Sequence, residues 1–312
     1  MKTILLLGGF GFIGTNILGY IDRFAKDKYQ VIVFDRLVNH PDHIRFDCVL
    51  KTYAGDFSDE YLLKCVFQDY SIDLVIHSLS ASVPSSSKDN AFDLQYNVLP
   101  TISLLNTMTV YGVGNIVFIS SGGAIYGDHY VDNNGHREDE VLFPKSAYGI
   151  SKLIVEKYLY LYMVQYGMKS LILRLSNPYG PYHYSQKQGI INIALEAALY
   201  GRPFQVWGDG EGKKDYIYID DFCKILMLLI EQEWKPYQVI NVGSGNLLTV
   251  NQIVNSIKTI CPNFVWSYKN SNAFDVQDFR LNLSLLQKSS DCSMTSLEEG
   301  LKKTMEWYES RK

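Results

Sequence analysis

Five short runs, "TILLLGG", "QVIVFD", "DLVIHSL", "NIVFISS" and "SLILRLSN", are apolar on consecutive positions and are separated by longer stretches of helical character. A strand apolar on both faces must be covered on both faces, and strands that alternate with helices are joined by crossovers, which makes their sheet parallel. The alternation therefore predicts an α/β fold with a Rossmann-type doubly wound parallel sheet. After about Asn177 the texture breaks up around "NPYGPYHYSQKQG", "GDGEGKKD" and "NVGSGN", which predicts a smaller C-terminal α/β lobe that binds substrate. The expected domains are residues 1–176 and 177–312. Residues 151–167, "SKLIVEKYLYLYMVQYG", read as a helix whose apolar and tyrosine positions cover more than one face. Packing on the sheet explains one face; a second copy of the chain explains the rest.

Composition narrows the partners. With 312 residues, 47% hydrophobic and 20% charged, the chain can bury a sizeable core. Its net charge of −4 and lack of basic runs give no footprint for nucleic acid or a membrane surface, so the expected ligand is small. The five cysteines are scattered without a CxxC spacing, which disfavours a disulfide framework or zinc knuckle and fits a reducing cytoplasm. "MKTILLL" reads as a buried strand, because no small-residue cleavage site follows it, and no apolar run is long enough to span a bilayer. His129, His136 and His183 show no ligand spacing, so no metal is expected. The polar stretch 131–140 reads as a surface loop.

"LLLGGFGFIG" sets Gly8, Gly11 and Gly14 at the junction of the first strand and a helix. Glycines there let the backbone approach a pyrophosphate, and the helix N-terminus offers free N–H groups and a positive dipole end. Asp35 closes the second strand in "VIVFD", where an acidic side chain binds both ribose hydroxyls of NAD and repels a 2′-phosphate. NAD is expected, with NADP the lesser alternative because Arg36 follows. Asp56 in "GDFSD" comes after the third strand, at the place for adenine. In "SAYGISK", Tyr148 and Lys152 stand four apart and share a helix face. An ammonium beside a phenol favours the phenolate, which makes a tyrosine usable as a base.

These elements, in the order "GGFGFIG", "GDFSD", "DLVIHSLSASVPSSS", "YNVLPT", "SSGGAIYG", "SAYGISK", "RLSNPYGPY" and "GDGEGKKDYIYIDD", cover nearly the whole chain. The series resembles the extended short-chain dehydrogenase/reductase family, in its nucleotide-sugar epimerase/dehydratase branch of UDP-glucose 4-epimerase-like enzymes. The resemblance implies an NAD(P)-dependent enzyme, a homodimer built through a helix bundle, and a nucleotide-diphosphate sugar as substrate. It implies that Gly8, Gly11, Phe12, Ile13, Gly14, Asp35, Asp56, Phe57, Leu79, Ser80, Asn97, Tyr148 and Lys152 hold the cofactor. Tyr148 then removes a proton from a sugar hydroxyl, and Lys152 holds the nicotinamide ribose. On the substrate side it implies Asn177, Tyr179, Lys214, Phe279 and Arg280. Lys214 stands where the family has an arginine, Asn272 falls on a second such position with Arg280 close by, and Phe279 falls on a gate residue whose bulk argues for an unacetylated hexose. His77 matches a common family histidine that supports the fold.

The family usually carries Ser or Thr four residues before the tyrosine of "YG", and here that position is Gly122. Dehydratases follow it with Asp-Glu, decarboxylases carry a glutamate, and 3,5-epimerase/reductases a cysteine; Gly123 and Ala124 offer none of these. What is left is chemistry at a single carbon, with the hydroxyl supplied by Ser121, or else by water, Ser80 or Ser82. The leading expectation is an NDP-hexose 4-epimerase. The alternatives are an NAD(P)H-dependent reductase of an NDP-4-keto-6-deoxyhexose, with either enzyme serving surface polysaccharide synthesis, and a dinucleotide-sensing protein without catalysis.

Overall fold

The computed structural model describes residues 1–82, 90–127, 134–186, 188–270, 278–290 and 292–311; His129 and Asn272 lie outside them. The chain divides into two compact units, each assembled from three segments.

The first unit comprises Met1–Gly127, Leu142–Arg174 and Ile230–Ile240. In chain order it holds β1 (Lys2–Leu7), α1 (Phe12–Phe24), β2 (Tyr29–Asp35), β3 (Val49–Ala54), α2 (Glu60–Asp69) and β4 (Leu74–His77). A π-turn over Leu94–Val98 then runs into α3 (Leu99–Val110), followed by β5 (Asn115–Ser121), the single turn α4 (Gly122–Ile125), α5 (Ala147–Tyr166) and β6 (Lys169–Leu175). The seven-stranded parallel sheet has the order β10-β6-β5-β4-β1-β2-β3, with β10 (Tyr237–Val242) arriving late in the chain. Its central strands are buried on both faces, as their apolar runs require: Ile4 to Leu7, Val31 to Phe34 and Ile116 to Phe118 are all at most 1% exposed. Helix α5 starts four residues earlier than the sequence pattern placed it. Ser146 caps it by accepting the Gly149 N–H at 3.1 Å, and Gly167 ends it in the left-handed conformation at φ 68°. Met108 and Leu105 of α3 and Leu159 of α5 join Phe118 and Ile172 of the sheet in one core.

The second unit comprises Asp128–Val141, Leu175–Leu229 and Asn241–Lys312. Thus 128–141 and 230–240 belong to the units opposite to those their sequence positions suggest; the latter leads into β10, whose pairing partner is β6. The unit contains β7 (Asn177–Tyr179), α6 (Ile190–Leu199), β8 (Phe204–Trp207), β9 (Lys213–Tyr218), α7 (Ile219–Ile230) and β11 (Leu247–Thr249). After these come α8 (Val250–Ile260), β12 (Trp266–Lys269), β13 (Asp278–Phe279), α9 (Ser284–Ser289) and α10 (Leu297–Glu309). Strand β9 is the hub: it pairs antiparallel with β11 and parallel with β7 and β13. Asp215, fully buried on β9, accepts the N–H groups of Ser244 at 2.9 Å and Gly245 at 2.8 Å, so its carboxylate ties the β11 approach to the hub. Among the described residues no helix is long and apolar enough to cross a membrane, and no three His, Cys, Asp or Glu side chains cluster to hold a metal.

Candidate active site

The glycine turn sits at the C-terminal edge of β1, where a doubly wound sheet opens toward ligand. A Cβ on Gly14 would run into the Gly8 carbonyl oxygen, so the protein itself demands glycine there. At Gly11 the same atom would meet only the Gly8 oxygen at an ordinary 3.5 Å. Gly11 is also the N-cap of α1 and brings no side-chain cap, so the positive end of the helix is presented through backbone at the turn that runs into Phe12 and Ile13. This is a cradle that suits a pyrophosphate. Asp35 closes β2 and accepts the Phe10 N–H at 2.9 Å and the Leu37 N–H at 3.1 Å, which fixes its carboxylate beside the turn. The Arg36 guanidinium, which left NADP open, lies 3.0 Å from Asp56. Ser58, through its hydroxyl and its backbone, holds the Asp56 carboxyl below its usual range, with Arg36 adding to the effect. Phe57 is buried against Phe34 and His77. Leu79 packs over Gly8, and Ser80 donates to the Ser82 carbonyl at 3.0 Å. These groups fit a dinucleotide with an unphosphorylated ribose.

Around Tyr148 the structure departs from one expectation. Burial pushes the phenol up to about 12, the Ser121 hydroxyl opposes that rise by hydrogen bonding to it, and the Asp93 carboxylate adds to it. Lys152 does not bring the phenol down here. Its ammonium is buried, donates to the Ile119 carbonyl at 3.0 Å, and lies 5.6 Å from the Tyr148 ring centre. Burial lowers Lys152 to about 8, against the pull of Glu156 and then Asp93. The side chain acting on the phenol from this region is that of Ser121, at the end of β5 and one residue before Gly122. Ser80 is bound to Ser82, and the Ser82 hydroxyl donates to Asp93, so neither competes for the phenol. Gly123 and Ala124 supply no acid or base, as read from the sequence.

Two functional-looking groups, Glu156 and Arg174, had no sequence signal. Glu156, one turn after Lys152, forms a buried ion pair with Arg174 at 2.8 Å and accepts the Ser120 hydroxyl at 2.7 Å. Arg174 also donates to the Tyr126 hydroxyl at 2.8 Å. Asn97 accepts the Ala81 N–H at 2.8 Å and donates to Asp93 at 2.8 Å, so it braces the chain after β4. His77 bonds Thr101 at 2.9 Å, and burial, with the Lys152 charge behind it, lowers it to about 3. It stays neutral and supports packing.

The second unit contains a cavity of about 290 Å³ lined by Asn177, Tyr179, Ile190, Trp207, Lys214 and Tyr216 among others. Three of the five substrate-side residues read from the sequence are here. Asn177 donates to the Asp215 carbonyl at 2.8 Å, which orients its amide from β7. Tyr179 is 3% exposed with its ring against Tyr218, and burial raises its phenol. Trp207 was not foreseen; it ends β8 on the exposed side of an alternating strand, with the Lys269 ammonium 4.6 Å from its ring centre. The other two do not line this cavity. Phe279 pairs in register with Lys214 but is buried and stacked on His136 at 5.5 Å, and it does not line the cavity. Arg280 is exposed and contributes its carbonyl to the His136 N–H at 2.9 Å. The pull of β13 onto the β9 edge places Phe279 in the packing layer, which sequence register alone does not reveal.

With that geometry in hand, comparison with known proteins gives a consistent family. Residues 4–243 match the model of the NAD dependent epimerase/dehydratase family. A putative UDP-glucose 4-epimerase of Methanocaldococcus jannaschii is 30% identical, with 98% of each chain covered. A dTDP-4-dehydro-6-deoxyglucose reductase of Escherichia coli is 31% identical over 82% of this chain and 80% of its own. The crystal structure of a UDP-glucose 4-epimerase with UDP-glucose from Thermotoga maritima superposes with a TM-score of 0.90 at 32% identity, covering 99% of both chains.

Proposed function

Because this chain belongs to the NAD-dependent epimerase/dehydratase family, we propose that it is a nucleotide-diphosphate-hexose 4-epimerase of the UDP-glucose/UDP-galactose kind. The observation that carries this reading is the Ser121 hydroxyl bonded to Tyr148, in a corner where Gly122, Gly123 and Ala124 provide no second acid or base. One proton-transfer group serves chemistry at one carbon; loss of water or epimerisation at two further carbons needs more. NAD, when bound, supplies a hydride acceptor. Gly8, Gly11, Phe12, Ile13 and Gly14 would receive its pyrophosphate, and Asp35 its ribose hydroxyls. Phe57, Leu79, Ser80 and Asn97 would flank it, with Asp56 toward the adenine.

The chain's own part follows from its side chains. Tyr148 takes the proton of the sugar hydroxyl at carbon 4 and returns it, Ser121 steadies the phenolate, and the Lys152 ammonium supplies positive charge close by. In the second unit, Lys214 meets a diphosphate as a point charge, Trp207 offers a base a stacking face, and Asn177 and Tyr179 orient the remainder. The names of the M. jannaschii and T. maritima relatives support the epimerase. The E. coli relative supports a second reading, a reductase of an NDP-4-keto-6-deoxyhexose that uses the same Tyr148 and Lys152. Exposed apolar side chains on α5, namely Ile150, Tyr160, Leu161 and Val164, support a homodimer in which they are covered.

The deciding experiment offers the purified protein UDP-galactose with no added nicotinamide, after free cofactor has been removed. Formation of UDP-glucose is expected. Absence of product with NAD occupancy verified, together with NAD(P)H oxidation on an NDP-4-keto-6-deoxyhexose, would replace the epimerase by the reductase.

A further inference from the structure

Asp93, the residue before the π-turn, is 1% exposed. The Ser82 hydroxyl and the Asn97 amide, the latter at 2.8 Å, both donate to its Oδ1, while its Oδ2 is buried without a hydrogen-bond partner among the described residues. An asparagine oxygen would accept the same two donors. The negative charge is therefore the part of this side chain that its hydrogen bonds do not explain, and burying a carboxylate with one oxygen undonated is unfavourable unless a cation compensates.

That cation is at hand. Lys152 is 6% exposed and donates to the Ile119 carbonyl; its ammonium also lies 4.7 Å from the Phe118 ring centre. Among the described residues no carboxylate forms a direct ion pair with it. Glu156, on the same helix, is already neutralised by Arg174 of β6. The other groups in reach are Tyr148 and the neutral His77 of β4. The π-turn that Asp93 precedes packs against α5, the helix that carries Tyr148 and Lys152, so among the described residues Asp93 is the carboxylate whose charge is left to balance Lys152, and it acts on Lys152 and Tyr148 alike.

We propose that Asp93 is a positioning residue of the reaction, a buried counter-charge that keeps Lys152 protonated beside Tyr148 while it braces Ser82 and Asn97. This rests on the reading that Tyr148 and Lys152 carry the chemistry. The π-turn supplies the geometry: Asp93 and Asn97, four residues apart, both reach the Ala81–Ser82 segment, as π-bulges at functional sites often arrange.

Two measurements test it. In Asp93→Asn the hydrogen-bond acceptor remains and the charge goes. Asp93 raises the proton affinity of both Tyr148 and Lys152, so its loss should move both limbs of the kcat-versus-pH profile of UDP-galactose turnover to lower pH. A profile lowered in height with both limbs in place would overturn the proposal. The second measurement needs no substrate: a thermal-denaturation cycle of Asp93→Asn, Lys152→Met and the double variant. Asp93→Asn should lower Tm when Lys152 is present and raise it when Lys152 is replaced. An equal change in both backgrounds, or a double variant that does not fold, refutes the pairing. Should the wild-type chain fail to turn over UDP-galactose, the functional reading falls and the thermal cycle still decides Asp93.

Discussion

Two lysines show how differently the units handle charge. Lys152 in the first unit is buried, close to two carboxylates and a tyrosine, and burial lowers it to about 8. Lys214 in the second unit is half-exposed at the lip of a cavity with Trp207 and Tyr216. A cation out of water has its ionisation set by its neighbours, so it suits proton chemistry. One in contact with water acts through simple attraction, which suits recognition of an anion. The first corner should therefore respond to substitution in rate and pH dependence, and the second in affinity.

The strongest test of that contrast is Tyr148→Phe, expected to lower kcat by about 10³-fold, near the middle of the range for a lost general acid/base, while leaving UDP binding by calorimetry within about twofold. Next comes Arg174→Met, which leaves Glu156 charged and unpaired in the interior and should cost about 3–5 kcal/mol of stability in urea denaturation. Ser121→Ala should lower kcat by roughly tenfold to a hundredfold. Because Ser121 lowers the Tyr148 pKa, its loss raises it, and the acidic limb of the rate profile should move to higher pH, opposite to Asp93→Asn. The mildest is Lys214→Met, with KM for the nucleotide sugar up about tenfold, kcat little changed, and the difference shrinking as salt is added. A fall in kcat with KM constant in this last variant would break the division of labour between the units.

How much could be read in advance differs along the chain. Gly8, Gly11, Gly14 and Asp35 were legible because a turn, a helix start and a strand end are local, and each leaves its residue type in sequence. Tyr148 and Lys152 were legible because four residues are one helical turn. Ser121 was named as a substitute for the missing hydroxyl, and its contact with the phenol required the actual path of β5. Asp93 and Trp207 carried no pattern. The first depends on a π-turn approaching Ser82, the second on β8 ending at the rim of a cavity whose other walls come from β7, α6, β9 and the start of α8. Phe279 was named from the resemblance as a gate residue; its pairing with Lys214 and its stacking on His136 depend on β13 meeting β9, which no local pattern announces.

By itself, then, the sequence determined the doubly wound sheet, the glycine cradle and the tyrosine-lysine pair, all of which follow from periodicity and spacing within one or two elements. The tertiary structure alone decided that burial sets the Tyr148 phenol high against the Ser121 hydroxyl, that Glu156 is spent on Arg174, and that Asp93 is left over. Those outcomes depend on distances and desolvation among side chains far apart in the chain, and the free energy of a buried charge is set by what surrounds it rather than by what precedes or follows it.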